Sequence, residues 1–315
     1  MDVNTRRLRH FVTLAEELHF TRAATMLHVS QQGLSRSIGE LEQQVGAALL
    51  VRTTRSVALT EAGEAFLRGA RDALAALDAA ADAAQSAHGR VSGHLRVGFT
   101  VSSALELTAP ILRAFQSRYP AVTLDLEMFQ WGDPSCGLRS GATDIAFVRM
   151  PIECPNLRTE TVFVEPRAIG VHTSHPLANG RSVKLSDLAG ERIMAPRTGD
   201  AKWTTFWTLR DTGLDEAALP RLMDRAVGSM EEELEAISAG LAISITAICM
   251  SRFTPRPSIV FRPITDVTGS ELALGWRGAG TPLTEAFRAV VMEVRDRETD
   301  HVARIEAANG FPEEF

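Results

Sequence analysis

Residues 30–66 read SQQGLSRSIGELEQQVGAALLVRTTRSVALTEAGEAF. Ser30 is a good helix N-cap, and behind it Leu34, Ile38, Leu41 and Val45 recur at i, i+4, i+7 and i+11. This predicts a helix with one buried stripe that ends at Gly46, a residue suited to the left-handed C-cap. The opposite face opens with Gln31, Gln32, Ser35 and Arg36. Amide and guanidinium groups match base edges bidentately, Gln with adenine and Arg with guanine, and recognition helices present such groups from their N-terminal end. On an isolated helix a polar face is most often only solvated. Here the flanking segments favour the base-reading role.

Upstream, LRHFVTLAEELHFTRAA (residues 8–24) supplies two shorter helices. Leu8, Phe11, Val12 and Ala15 line one face of the first, and Thr21 is the expected N-cap of the second, which carries Ala23, Ala24 and Leu27. Downstream, Val51-Arg52 and Val57-Ala58-Leu59 can pair as a hairpin around Thr53-Thr54-Arg55-Ser56. Arg52, Thr54 and Arg55 would then sit on a basic wing, suited to phosphates or the minor groove. An ordinary surface hairpin with solubilising Arg is the plainer alternative. Three helices and a wing together predict a winged helix-turn-helix.

Residues 8–63 resemble the N-terminal signature of LysR-type transcriptional regulators, with many positions matching at fixed spacing. Val51 departs from the acidic residue usual there, Leu50 from Phe, and Gly33 costs about 1 kcal/mol of helix propensity relative to Ala. None of these is a proposed base-reading residue. The resemblance implies a sequence-specific regulator that binds an imperfect palindrome with a T and an A eleven bases apart. It also implies a contact with RNA polymerase and a homo-oligomer, dimer or tetramer.

From Thr60 a long helix is expected. Phe66, Ala70, Ala73, Leu77, Ala80 and Ala84 step by four and three along it, the seam spacing of two helices side by side, although so much alanine also suits a rigid spacer. In the resembling family this linker helix dimerises the heads. The expected partition is a head at 1–60, a linker helix at 61–88, a hinge at 89–94, an effector domain at 95–298 and a tail at 299–315.

Beyond residue 95 the grammar becomes strand, helix, strand: LRVGF, a helix carrying Leu107, Ile111 and Phe115, VTLDLEM, a helix from Asp133 to Leu138, then DIAFV. This predicts an α/β domain with a largely parallel sheet. One lobe is expected at about 95–166 with 267–298 and a second at about 167–266. LRSGATDIAFV and AISAGLAISI resemble the two-lobed effector domain of the same family, similar to periplasmic solute-binding proteins, with Ala247 standing where Pro is frequent. The fold class is therefore α plus α/β.

Such domains hold small molecules between lobes, near strand ends and helix N-termini. Thr100, Ser102, Ser103, Trp131, Arg149, Arg197 and Thr198 are the candidates by position. Hydroxyls and two arginines would suit an anion, and Trp131 a ring. Each has a plainer reading: helix caps, an inter-lobe ion pair at Arg149, a packed Trp131.

The 315 residues carry a net charge of −6. Seven Arg against five acidic residues make the first 60 residues +2, leaving −8 for the rest, so the positive bias lies at the DNA end. No run of about 18 apolar residues occurs and none follows MDVNTRRLRH, so a cytoplasmic protein without a membrane partner is expected. Cys136, Cys154 and Cys249 fit no disulfide framework, and a Cys136–Cys154 redox pair has little support. His172 and His175 lack a third ligand, so no metal or other cofactor is expected beyond a small-molecule effector. No GxSxG, HExxH, GxGxxG or P-loop motif supports an enzyme. An enzyme would show turnover surviving deletion of residues 1–60. An architectural DNA binder would show a footprint indifferent to ligand.

Overall fold

The computed structural model describes residues 3–27, 29–52, 57–86, 91–101 and 104–307, which form two compact units divided near residue 89. In the first, α1 (Thr5–Glu17) starts at Asn4, whose side-chain oxygen accepts from the Arg7 N–H at 3.0 Å. Helix α2 (Phe20–Met26) is capped by His19, not Thr21: His19 Nδ1 accepts from the Arg22 N–H at 3.3 Å. Thr21 lies inside the helix, and its hydroxyl donates to Gln31 Oε1 at 3.2 Å. Helix α3 (Gln31–Val45) begins as expected, with Ser30 Oγ accepting from the Gly33 N–H at 3.0 Å, and ends at Gly46, φ 76°. Phe11, Leu14, Leu34, Ile38, Leu41 and Leu49 are wholly buried between the helices.

Strands β1 (Leu50–Arg52) and β2 (Val57–Leu59) pair antiparallel, Leu50 opposite Leu59 and Arg52 opposite Val57. Thr60 caps α4 (Glu61–Ser86) by accepting from the Gly63 N–H at 2.9 Å, while donating to the Ala48 carbonyl at 2.8 Å. This turn presses Gly63 against the hairpin, so that a Cβ there would lie 2.0 Å from the Leu49 carbonyl oxygen. Gly63→Ala is expected to destabilise the head by about 1–3 kcal/mol through overpacking, read as faster amide exchange across α3 and α4.

The stripe along α4 divides. Phe66 stacks edge-on against Phe11 with ring centroids 5.4 Å apart, and Ala70 is buried. Both therefore belong to the head's own core and not to a seam between chains. Ala73, Leu77 and Ala80 are exposed, and the Ala84 side chain lies outside the described set.

In the second unit, β3 (Gly93–Phe99) pairs parallel with β4 (Val122–Met128) and β5 (Ile145–Arg149). Strand β12 (Ser270–Arg277) returns from the far end of the chain and inserts antiparallel between β5 and β6 (Leu157–Glu165), giving the order β4-β3-β5-β12-β6. The sheet is thus mixed and not largely parallel, because β6 leads straight into the second lobe and the chain re-enters from it. Helices α5 (Thr108–Arg118) and α9 (Pro282–Arg297) meet through Phe115 and Phe287, centroids 5.1 Å apart. The segment expected as a tail begins with α10 (Thr299–Glu306), held by buried Ile305 and by Glu306 Oε1, which accepts from the Val164 N–H at 3.1 Å.

Asp133–Gly141 is a run of turns and not a helix. The Asp133 carboxylate accepts from the backbone N–H groups of Ser135 (3.1 Å) and Gly137 (3.0 Å) and from the Ser135 hydroxyl (2.5 Å). These local bonds compete with a helix ladder, and Cys136, Gly137 and Gly141 adopt positive φ.

The second lobe centres on β7 (Arg167–His172), antiparallel to β10 (Ser244–Ala247) and β11 (Ile259–Pro263). Strands β8 (Arg192–Ile193) and β9 (Arg221–Leu222) form a two-residue parallel pair. Around them lie α6 (Ala201–Trp207), α7 (Met230–Ser238) and α8 (Met250–Phe253). No helix among the described residues is long and apolar enough to cross a membrane.

Candidate functional site

On the head, the N-terminal turns of α3 present Gln31, Gln32 and Arg36 to solvent with Ser35 partly covered. The Arg36 side chain is 84% exposed, and its Nε donates to Glu40 Oε1 at 3.0 Å. Arg7 reaches the same carboxylate at 2.5 Å, and these two hydrogen bonds lower the Glu40 pKa. Thr21 and Ser30 are exposed at the same end of α3, the first bonded to Gln31 and the second capping. Arg6 and Arg7 of α1 line a shallow groove with Ser30 and Arg36. They were legible only as an arginine-dense start to the chain. The Arg52 side chain, Thr54 and Arg55 lie outside the described residues.

In the second unit a cavity of about 50 Å³ opens beside β5, β10, α6 and α7. Of the expected residues it brings together Thr100, Trp131 and Arg149; Ser102 and Ser103 lie outside the described set. Arg149 is buried, and its Nη2 donates to Glu165 Oε1 at 2.5 Å while Nη1 donates to Ser270 Oγ at 3.1 Å. Burial works against this charge, and the Glu165 carboxylate outweighs it, holding the guanidinium pKa above its ordinary value. Glu165 Oε2 accepts from the Cys249 N–H at 2.8 Å, so one carboxylate ties the first lobe to the second. Arg149 is held in an ion pair, but within the first lobe and not between lobes as expected: Glu165 ends β6 of the same sheet, and only its bond from the Cys249 N–H reaches the second lobe.

Arg197 and Thr198 do not line the cavity. Arg197 is 56% exposed and pairs with Glu232 at 2.5 Å, and the Thr198 hydroxyl accepts from the Asp200 N–H at 3.2 Å. Two converging cations are therefore absent from the described wall, and the case for an anion weakens while the aromatic one grows. Trp203 and Trp207, four residues apart on α6, join Trp131, with Trp203 and Trp207 centroids 5.6 Å apart. Their i, i+4 spacing was the available signal.

Glu233 also lines the cavity, hidden in sequence within Glu231-Glu232-Glu233. It falls on the buried face of α7 with Met230, Leu234 and Ile237. One carboxyl oxygen is hydrogen-bonded to the Ser244 hydroxyl. Burial raises its pKa to about 8, offset in part by that bond.

The thiols of Cys136, Cys249 and Cys154 are all raised in pKa, chiefly by burial, which disfavours the reactive thiolate and the redox-pair reading. His172 Nδ1 lies 2.7 Å from the Ser174 hydroxyl, and His175 Nδ1 accepts from the Leu177 N–H at 3.3 Å, so both shape their own turns.

A winged head with an uncovered polar helix face, followed by a two-lobed domain with an aromatic cavity, defines a ligand-responsive DNA-binding regulator. Residues 5–64 match the family described as "Bacterial regulatory helix-turn-helix protein, lysR family", and residues 88–297 match "LysR substrate binding domain". The chain belongs to the LysR family of transcriptional regulators, DNA-binding proteins with a substrate-binding effector domain, and is not an enzyme. It is 35% identical to the uncharacterized HTH-type transcriptional regulator YnfL of Escherichia coli, over 80% of this chain and 84% of that one. Identity to the HTH-type transcriptional regulator BudR of Raoultella terrigena is 34%, over 86% and 94%. Among solved structures, full-length CbnR complexed with its target DNA aligns with a TM-score of 0.61 and 26% identity, over 93% of this chain and 99% of that one.

Proposed function

We propose that α3 enters the major groove of an imperfect palindrome, where Gln31, Gln32, Ser35 and Arg36 read base edges. Thr21 and Ser30 position its end, and Arg52, Thr54 and Arg55 contact the backbone or minor groove. The carrying observation is the uncovered polar face at the N-terminus of α3, opposite the buried Leu34, Ile38 and Leu41. A second chain pairs through the exposed Ala73, Leu77 and Ala80, so that an oligomer in the cytoplasm spans two half-sites.

A small molecule in the aromatic cavity favours one arrangement of the two lobes, and this biases the heads on DNA and their contact with RNA polymerase. That coupling requires the ligand to bind one arrangement better than the other.

Footprinting on the DNA beside the chain's own gene, at several salt concentrations, tests the reading. A protected palindrome that persists at physiological salt supports it, and uniform protection erased by salt counts against it. Arg36→Ala is expected to cost about 1–3 kcal/mol of specific affinity and to relax one base preference. Unchanged operator affinity would remove Arg36 from the interface.

A further inference from the structure

Among its described lining residues the cavity holds two ionisable groups, Arg149 and Glu233. The Arg149 charge is already balanced by Glu165 at 2.5 Å. An anionic ligand would therefore enter unbalanced among Trp131, Trp203, Trp207, Met230 and Met250, an environment that penalises any unpaired charge. Three neutral polar groups accompany these walls. Thr100 and Thr246 line the cavity with no side-chain hydrogen bond to another described residue, and Trp207 has a buried Nε1 with no partner. Glu233 is 5% exposed, and its second carboxyl oxygen has no partner among the described residues.

Given an effector in this cavity, as proposed above, we propose that it is an uncharged planar aromatic or heteroaromatic molecule carrying both a hydrogen-bond acceptor and a donor. The Glu233 carboxyl takes its acceptor, and the tryptophans take its faces.

At neutral pH the raised pKa keeps Glu233 protonated and able to donate. No charged group among the described residues is left to relieve it: Arg149 across the cavity is held by Glu165. On α7, Glu231 is exposed, Glu232 pairs with Arg197 and Glu235 with Arg256. On β7, Arg167 pairs with Asp211 and His172 bonds Ser174, while Arg262 of β11 donates to the Ala178 carbonyl.

The test is a tryptophan-fluorescence titration of the full-length chain with three near-isosteric probes: benzamide, benzoate and benzamidine. Benzamide is expected to bind at least about tenfold tighter than either ion near neutral pH. Its affinity is expected to fall as pH rises past about 8, and Glu233→Gln to retain binding while losing that step. Tightest binding by benzoate or benzamidine, weakened by Trp203→Ala, would overturn the uncharged-ligand inference and leave the cavity as the effector site. No binding by any probe, or binding indifferent to Trp203→Ala, would overturn the cavity assignment itself.

Discussion

Glu165→Gln will destabilise the effector domain by about 3–5 kcal/mol, the range found when one partner of a buried ion pair is removed. Glu165 is fully buried and Arg149 is 8% exposed, so neither charge can turn to water. The amide has one acceptor oxygen for two donors, so its NH2 must face either the Arg149 guanidinium or the Cys249 N–H, and a donor–donor clash adds to the lost charge opposite a guanidinium that burial already disfavours. Urea unfolding followed by tryptophan emission reads this domain alone, because all four tryptophans (131, 203, 207 and 276) lie in it. A loss below about 1 kcal/mol would mean that Arg149 has access to solvent or another partner, and the balanced-charge reading of the cavity would fall with it. The double variant Arg149→Met with Glu165→Leu should recover most of the loss, since buried pairs are often replaceable by apolar side chains of similar volume. Arg149→Ala is consequently a stability variant, and it would not isolate ligand recognition.

The Glu165 carboxylate also has a mechanical position. It ends β6, one residue before the chain crosses into the second lobe, and it holds Arg149 of the first lobe and the Cys249 N–H of the second. Relative motion of the lobes must preserve or break these bonds. A ligand beside Arg149 is placed to influence that choice.

The head was legible because its determinants are local. Ser30, the apolar stripe of α3, Gly46 and the hairpin register all sit within a few residues of what they organise. Where locality failed, so did the reading: Thr21 has the better capping side chain in general, but here the imidazole of His19 reaches the Arg22 N–H and Thr21 turns to Gln31. Periodicity likewise grouped Phe66 with Leu77 on one stripe, although Phe66 meets Phe11 and Leu77 remains exposed. A helical period shows which face is apolar and says nothing about what covers it.

Non-local pairing explains the misses in the effector domain. Strand β12 finds β5 more than a hundred residues away, which no local pattern encodes. Arg149 and Arg197 both follow strand-like segments, yet one pairs inside with Glu165 and the other outside with Glu232, thirty-five residues on. In the sequence Glu233 is one of three consecutive acids. Only its alignment with Met230 and Ile237 on α7 marks it as internal.

That internal carboxyl carries the second large effect, a pH-dependent loss of stability that Glu233→Gln should abolish. Burial raises the folded-state pKa to about 8 from an ordinary 4.5. Below about pH 4.5 both folded and unfolded chains carry the proton and the group contributes no difference. Between about pH 4.5 and about pH 8 only the folded chain is protonated, so each rise of one pH unit removes about 1.4 kcal/mol of stability. Above the folded pKa the loss is complete, at about 3–5 kcal/mol across the window. Other carboxylates and histidines also shape the total curve, so the quantity to measure is the wild-type stability minus that of Glu233→Gln at each pH, by urea unfolding. This difference should decline through the window and then level off. Gln keeps a partner for the Ser244 hydroxyl and has no proton to lose, so the shape of the difference belongs to Glu233 alone. A flat difference would mean that the carboxyl ionises in the folded chain as readily as in water, and hence that it is not the neutral hydrogen-bond donor assigned to the cavity wall.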